Sequence, residues 1–291
     1  TFYNQNTTDA ILLRDVAPSL GFTESQFVNL GAIRNRGVEL QLRGVPLDRR
    51  RADLELTFNF SSNESKVMDL GPGVDFIPIG SQRHQVGMPV AAWFREVVVS
   101  AEIGPDGLPI NVMCDGGRPL REGGIPTLTG GSPVPCADAP RLYIGRASPK
   151  YEGSFGGTLT LFDRVRIFGL FDFKAGHHAF DNNTRARCQV FLNCLETIEP
   201  EKHDPKVVAQ MRSSGTLVDF IINDASFLKF RELSVSYQLP DNMARRFGAD
   251  RASISVAGRN LGTWTTWTGL VPEACFVSNL RTRLELDNTP Q

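Results

Sequence analysis

Two-residue alternation of apolar and polar side chains, repeated along the chain, constrains this sequence more than any other feature. Val38, Leu40 and Leu42 alternate with Glu39, Gln41 and Arg43, and Leu54, Leu56, Phe58 and Phe60 alternate with Asp53, Glu55, Thr57 and Asn59. A short alternation at 158–161 is followed by Val165, Ile167, Phe171 and Phe173, set against Arg164, Arg166 and Asp172. Leu233, Val235, Tyr237 and Leu239 oppose Ser234, Ser236 and Gln238, and Ala252, Ile254 and Val256 oppose Ser253 and Ser255. A period of two places successive side chains on opposite faces of a β-strand, so each stretch predicts a strand with one greasy face and one polar face. Leu228 and Phe230 have the opposite parity to Leu233, which predicts a bulge near Glu232 that re-aims the faces.

The connections between these stretches alternate in length. The link at roughly 14–30 is long, the one around 45–52 short, and the chain from 69 onward long again. The turn at Asp163-Arg164 is tight, 178–225 is long, 240–250 is compact, and 262 onward is long and irregular. An up-and-down barrel crossing a membrane requires this order, with tight turns at one end and extended loops at the other. The region 69–157 is harder to read. Residues 91–101, with Trp93, Phe94 and the run Val97-Val98-Val99, read as a strand, and 102–140 as a Gly/Pro-rich insertion with a turn at Gly104-Pro105-Asp106-Gly107. Parity requires an even number of barrel strands, zero or two, between the strand near 53–68 and the one near 153–162.

Alternation alone is compatible with a soluble sandwich, whose apolar face packs on a second sheet, and with a transmembrane barrel, whose apolar face meets lipid. Three features favour the barrel. The long segments exceed ordinary hairpin loops. Aromatics gather near strand ends (Phe58, Phe60, Trp93, Phe94, Phe171, Phe173, Phe227, Trp264 and Trp267), as interfacial girdles require. The polar faces carry full charges, Glu39, Arg43, Asp53, Glu55, Lys229 and Arg231, which suit a wet lumen. There is no apolar run of the ~18 residues that a transmembrane helix needs, but a barrel strand needs only ~9–11.

Composition removes other classes. With 31 basic against 32 acidic residues among 291, the chain lacks the basic surplus that phosphate binding needs, so no nucleic-acid partner is expected. The opening Thr1-Phe2-Tyr3-Asn4 has no export signal, and an internal piece of a longer protein is expected. Five cysteines, at 114, 136, 188, 194 and 275, form no CxxC and have no histidine at ligand spacing, so no zinc site is expected. All five read as loop residues. Cys114 with Cys136, and Cys188 with Cys194, can each close a disulfide in an oxidising compartment, or remain free thiols, and Cys275 is left over.

Several words of the sequence resemble one family. Residues 31–40, Gly-Ala-Ile-Arg-Asn-Arg-Gly-Val-Glu-Leu, resemble a "G-x-I-x-N-x-G-V/I-E-L" strand of TonB-dependent receptors, in particular of the SusC/RagA type, and residues 59–67 resemble the strand that follows it. Val86-Gly87-Met88-Pro89-Val90 is similar to that family's "E-G-x-P-I/V" segment, and residues 145–155 to its "G-x-x-x-P-K-x-x-G-G-F" stretch. Residues 227–240 resemble its "F-L-R-L-R-N-V-S-L-S-Y-x-L-P" strand, and Gly258-Arg259-Asn260-Leu261, Thr263-Trp264-Thr265 and Gly269-Leu270-Val271-Pro272-Glu273 its penultimate-strand signature. The words stand in family order over nearly the whole chain.

The resemblance implies an all-β, antiparallel, up-and-down transmembrane barrel, with long extracellular loops and short periplasmic turns. Residues 1–291 would be its C-terminal portion, with loop insertions at about 102–140 and 178–225. Such barrels have about 22 strands, of which roughly eight to ten are read here. The plug, the TonB-contacting box and a final strand with a terminal aromatic are not found, and the chain ends Asn288-Thr289-Pro290-Gln291. Unpaired edges in lipid cost several kcal/mol per unmade hydrogen bond, so other segments are expected to close the wall. The implied activity is TonB-energised nutrient import across the bacterial outer membrane, without covalent chemistry or cofactor. The implied partners are a SusD-like surface lipoprotein, TonB (through the missing N-terminal part), outer-membrane lipid and an oligosaccharide or peptide substrate.

Candidate sites are few. Of the histidines, His84, His177, His178 and His203, the doublet follows a strand end and reads as solvated loop. There is no G-x-S-x-G, P-loop or strand–helix G-x-G-x-x-G, and the pair Asp53/Glu55 is what any polar barrel lining provides. Trp264 and Trp267 are candidates for stacking on a sugar ring, although interfacial anchoring explains them more simply. The insertions at 102–140 and 178–225 are where a substrate or a lid protein would be met. The rival readings are a secreted carbohydrate-binding β-sandwich and a secreted hydrolase; the second calls for a convergent acidic or Ser/His site not found in the sequence.

Overall fold

A computed structural model describes residues 1–9, 11–14, 26–29, 31–269 and 271–274. Its frame is one antiparallel sheet of seven strands among the described residues: β1 (Phe2–Thr7), β2 (Ala32–Arg49), β3 (Ala52–Asp69), β4 (Tyr151–Leu161), β5 (Val165–Ala175), β6 (Phe227–Gln238) and β7 (Ser253–Thr265). Spatial order follows chain order, each strand pairing with the next without a crossover, which is the up-and-down pattern. The sequence predicts eight to ten strands, and seven stand in this sheet among the described residues. β3 and β4 pair directly along their length, from Ala52 with Leu161 to Ser62 with Tyr151. No strand of this sheet therefore intervenes between them.

Register carries the alternation of each strand across the whole sheet. In one row Leu40, Phe60, Gly153, Phe173, Leu228 and Trp264 are successive partners, and in the row beside it Gln41, Asn59, Ser154, Asp172, Lys229 and Thr263. The first row continues through Leu42, Phe58, Phe155, Phe171 and Phe230, the second through Arg43 and Thr57. Apolar and polar residues thus separate onto opposite faces of the sheet. A slip of one residue in any strand would exchange its two faces.

The expected change of parity in β6 is found one residue before Glu232. Phe171 pairs with Phe230 and Leu170 with Glu232, so Arg231 is the extra residue, and the same break recurs against β7. Each short turn lies at one end of the sheet: Arg50-Arg51 between β2 and β3, residues 162–164 between β4 and β5, and a connection with a short helix, Asp241–Arg246, between β6 and β7. Phe162 and Asp163 both have positive φ, 52° and 57°, and the Arg164 N–H donates to the Leu161 carbonyl at 3.1 Å. Two left-handed residues make a turn whose twist matches that of the flanking strands.

The long connections all leave the opposite end. The one from Leu70 to Lys150 is wider than the expected 102–140 and has a fold of its own. Phe76–Ile79, Gln82–Gln85, Ala92–Arg95 and Leu142–Gly145 form a four-stranded sheet, and Val98–Ile103, Pro109–Asp115 and Pro133–Pro135 a three-stranded one. The single strand expected at 91–101 is therefore broken at Glu96-Val97, and its halves serve different sheets. Trp93 and Phe94 are not girdle aromatics but core: Phe94 packs with Met88 and Ala92, Trp93 with Ala147 and Ile222. The second insertion, 176–226, combines the hairpin His178–Phe180/Ile222–Asp224 with short helices at Asn182–Arg185, Leu195–Ile198 and Pro205–Met211. Its core is Cys188, Cys194, Met211, Val218 and Ile221, backed by Phe180 and Val207.

Candidate functional site: a polar face opposite an uncovered apolar face

The apolar face of the seven-stranded sheet is open. Leu40 is 43% exposed, Val235 41% and Val256 71%, and Leu42, Phe155, Leu228, Leu233, Tyr237 and Ile254 are exposed as well. A sandwich would bury these residues beneath a second sheet, and nothing among the described residues covers them. β4 and β5 have 11 residues each, about 36 Å at ~3.3 Å per residue. Tilted by ~40°, such strands rise through about 28 Å, close to the ~25 Å apolar band of an outer-membrane barrel.

Aromatic rings group on this face toward the long-loop end. Phe171 stacks on Phe230 with centroids 4.4 Å apart, Trp264 lies 6.5 Å from Phe171, and Phe60 lies between Phe58 and Tyr151 at 6.5 and 6.2 Å. Gly153 makes room in that layer, because a Cβ there would stand 2.6 Å from the Phe173 ring. Offset ring pairs of this kind add ~0.5–1.5 kcal/mol each beyond their buried area.

The polar face is a ladder of cross-strand charge pairs. Arg43 Nε meets Glu55 at 2.8 Å, Lys174 Nζ meets Glu152 at 3.3 Å, and Arg259 Nε meets Glu232 at 3.5 Å. At the bulge, Arg231 donates from Nε and Nη2 to the two carboxylate oxygens of Asp172, at 2.5 and 2.8 Å. Its guanidinium also holds Glu273, which Lys229 reaches as well. Burial works against charge on Glu273, but Arg231 and Lys229 hold its carboxyl below the usual carboxylate range. Lys229 is buried, and a buried ammonium persists only when paired. Glu273 follows the last described strand, so this cluster fastens the segment at 271–274 to β6. A groove of 640 Å³ runs along this face, with Gln41, Asn59, Ser61, Glu152, Ser154 and Asp172 among its walls. Amides, hydroxyls and charges of both signs make it a hydrogen-bonding surface. Among the described residues, neither histidines nor a nucleophile–base pair stand in it.

The two tryptophan candidates are separated. Trp264 is 56% exposed on the apolar face, whereas Trp267 is 8% exposed and packs with Ala179 and Ala225 under the second insertion. They do not form one stacking platform. Phe227, expected in a girdle, is buried too. The sequence predicts a solvated histidine doublet, but the pair is enclosed. His177 is buried, the His178 ring lies against Gly145, where a Cβ would come within 2.2 Å of Nδ1, and the His178 carbonyl accepts from Trp93 Nε1 at 2.8 Å. Burial lowers the pKa of both imidazoles, against the pull of Asp224. Their neighbours come from a distant part of the chain, which no local pattern reveals.

Cys114 and Cys136 form a disulfide, with Cys114 in a strand rather than a loop. Cys188 and Cys194, the other expected pair, are both free buried thiols. Cys275 lies outside the described residues. Sequence reasoning also missed the partnership of Arg231 with Asp172 and Glu273; the parity break in β6 was its one visible trace.

No family model matches the chain. Two curated proteins of Formosa agariphila, TonB-dependent receptor P3 and TonB-dependent receptor P26, are each 22% identical to it, over 295 and 293 residues. The matches cover 94% of this chain but only 28% and 29% of those receptors, so the chain spans less than a third of their length. Among solved structures, the RagAB peptide importer in its "closed-closed" and "open-open" states superposes with TM-scores of 0.71 and 0.70 at 21% identity, covering 94% of this chain and 30% of that one. At that identity the likeness speaks for the fold. The resemblance to part of a SusC/RagA-type TonB-dependent receptor, read first from scattered strand words, thus holds across 94% of the chain in sequence and in fold alike.

Proposed function

We propose that this chain forms part of the wall, the lumen lining and the outer loops of an outer-membrane nutrient importer. The observation that carries the reading is the uncovered apolar face set against a charge-laddered polar face. Outward-facing apolar side chains replace water with acyl chains, and the polar row lines an aqueous passage. Short turns then lie on the periplasmic side, and the two folded insertions outside the cell. The secreted sandwich is disfavoured because it would cover these apolar residues with a second sheet, and among the described residues nothing covers them.

Two curated relatives are receptors that depend on TonB, and a structural relative is a peptide importer, which supports energised uptake rather than enzymatic turnover. In this reading a SusD-like surface lipoprotein helps to capture an oligosaccharide or peptide above the insertions, and TonB acts through a plug encoded elsewhere in the protein. The groove beside Gln41, Asn59, Ser154 and Asp172 contacts the passing substrate through hydrogen bonds.

Spin labels placed singly in the full receptor, reconstituted in lipid, test the orientation. Labels at Leu40, Val235 and Val256 should collide with dissolved oxygen in the bilayer, and labels at Gln41, Ser236 and Ser255 with a water-soluble nickel chelate. The reverse pattern, or aqueous access on both faces, would overturn the reading. Uptake of labelled oligosaccharides and peptides by cells with and without the receptor then separates the substrate classes.

A further inference from the structure

Cys188 and Cys194 bracket a five-residue tip in the second insertion, Gln189 to Asn193. The backbone is wound tightly there. A π-turn spans Ala186–Val190, the Phe191 N–H donates to the Ala186 carbonyl at 3.0 Å, the Asn193 N–H donates to the Arg187 carbonyl at 2.8 Å, and Leu192 has φ of 50°. This winding brings the two sulfurs and a Glu196 carboxylate oxygen within 4.8 Å of one another. Both cysteines are buried beside Met211, Val218 and Ile221. The base of the tip is pinned, with Gln189 Nε2 donating to the Gln210 and Leu217 carbonyls at 2.8 Å each. Its crest is not covered: Val190, Phe191 (75% exposed) and Leu192 all face outward.

We propose that Cys188 and Cys194 are an oxidation site, closing into a second disulfide that clamps this apolar tip. Three observations favour the disulfide over a metal centre. The other insertion on the same end of the sheet already holds the Cys114–Cys136 disulfide, so that side of the molecule lies in an oxidising compartment. Two thiols and one carboxylate fall short of the four-ligand set of a structural zinc site. The Arg187 guanidinium interacts electrostatically with Cys188, Cys194 and Glu196, and its positive charge works against a bound cation there.

In the reaction a Cys188 or Cys194 thiolate attacks a protein disulfide of an export-compartment oxidoreductase, forming a mixed disulfide and releasing one thiolate of that partner. The second cysteine then displaces the partner's other sulfur. The chain loses two protons and two electrons to form one S–S bond, and the partner disulfide is reduced to a dithiol. Both cysteines are buried in the folded protein, and burial pushes the Cys188 thiol up, so closure belongs to folding, before the site is covered.

The test uses the full receptor isolated from membranes without reductant, denatured, and alkylated with iodoacetamide. Trypsin cutting after Arg187 and Lys202 releases one peptide that holds both cysteines. The expected peptide carries no alkyl group and is lighter than its reduced form by two hydrogens. Reduction before alkylation should add an alkyl group at each position. In a Cys188→Ser variant Cys194 should be alkylated, and cleavage within the tip by a nonspecific protease should accelerate. Alkylation of both thiols in the unreduced protein overturns the proposal, as does a linkage of either one to the Cys275 peptide, or a stoichiometric metal whose chelation frees both. The wild-type peptide mass decides the matter even where the variant fails to fold.

Discussion

Arg231 grips Asp172 with two parallel hydrogen bonds, Nε to Oδ1 and Nη2 to Oδ2, across the strand pair where β6 bulges. The extra residue of the bulge is the one that supplies the guanidinium. Without it the parity of β6 would not change, and Lys229 and Glu232 could not both lie on the polar face. The irregularity in the sheet and the ion-pair cluster are one device.

Replacing Arg231 with Ala should therefore destabilise the sheet by ~1–3 kcal/mol, because partly buried Asp172 and Glu273 lose their counter-charge. Arg231→Lys should recover less than half of the loss, since an ammonium cannot make the two-pronged contact. Heat-modifiability of the detergent-solubilised receptor on gels gives the ranking. Equal mobility transitions for wild type, Ala and Lys would mean that the pair contributes nothing.

The exposed apolar face makes a counter-intuitive case. In a soluble protein, arginine at an exposed position such as Leu42 would change stability by within ~0.5 kcal/mol. In lipid, Leu42→Arg should cost ~2–4 kcal/mol near the middle of the bilayer, while Gln41→Arg on the polar face should cost little. Folding titrations of the full receptor into lipid vesicles measure both, and equal effects at the two positions contradict the orientation.

The Cys114–Cys136 bond closes a loop between residues 22 apart in sequence. A loop of that size removes enough freedom from the unfolded chain to stabilise the first insertion by ~3 kcal/mol. Cys114→Ser with Cys136→Ser should speed protease cutting within 98–135 without affecting β3 or β4. Unchanged cleavage would show the bond to be incidental.

Burial, helped by the nearby charge of Glu96, pushes the Asp219 carboxyl to about 7, against a backbone hydrogen bond from Val98. An acid whose folded pKa is raised keeps its full stabilising share below its unfolded pKa, near 4, and loses it as pH climbs to about 7. The loss is about 4 kcal/mol at most, since each tenfold change in proton affinity corresponds to ~1.4 kcal/mol. Hydrogen exchange in the second insertion should accelerate from pH 4 to 7 beyond its intrinsic pH dependence, then follow that dependence alone. Asp219→Asn should flatten the extra component, and its persistence in the variant would assign it to another group.

Much of the frame is legible in the residues. The faces of β2, β3, β5, β6 and β7, the short turns at one end and the bulge beside Glu232 all follow from local periodicity and turn spacing. The region between β3 and β4 is less legible. Short strands that pair within an insertion leave no long alternation, so 91–101 resembles one strand, and Trp93 and Phe94 resemble girdle residues. The histidine doublet misleads for a related reason, since the groups enclosing it, Trp93 and Gly145, are remote in sequence.

By itself the sequence determined which side chains share a face, because a strand's period of two is a property of the backbone and needs no partner. It could not say which face is covered, since alternation reads the same whether the apolar side packs on another sheet or stands open. That was decided by tertiary structure: strand pairing placed Leu40, Val235 and Val256 where nothing among the described residues covers them, and it brought Arg231, Asp172 and Glu273 together across three separate segments. Long-range register sets these relationships, and register depends on the whole sheet forming at once.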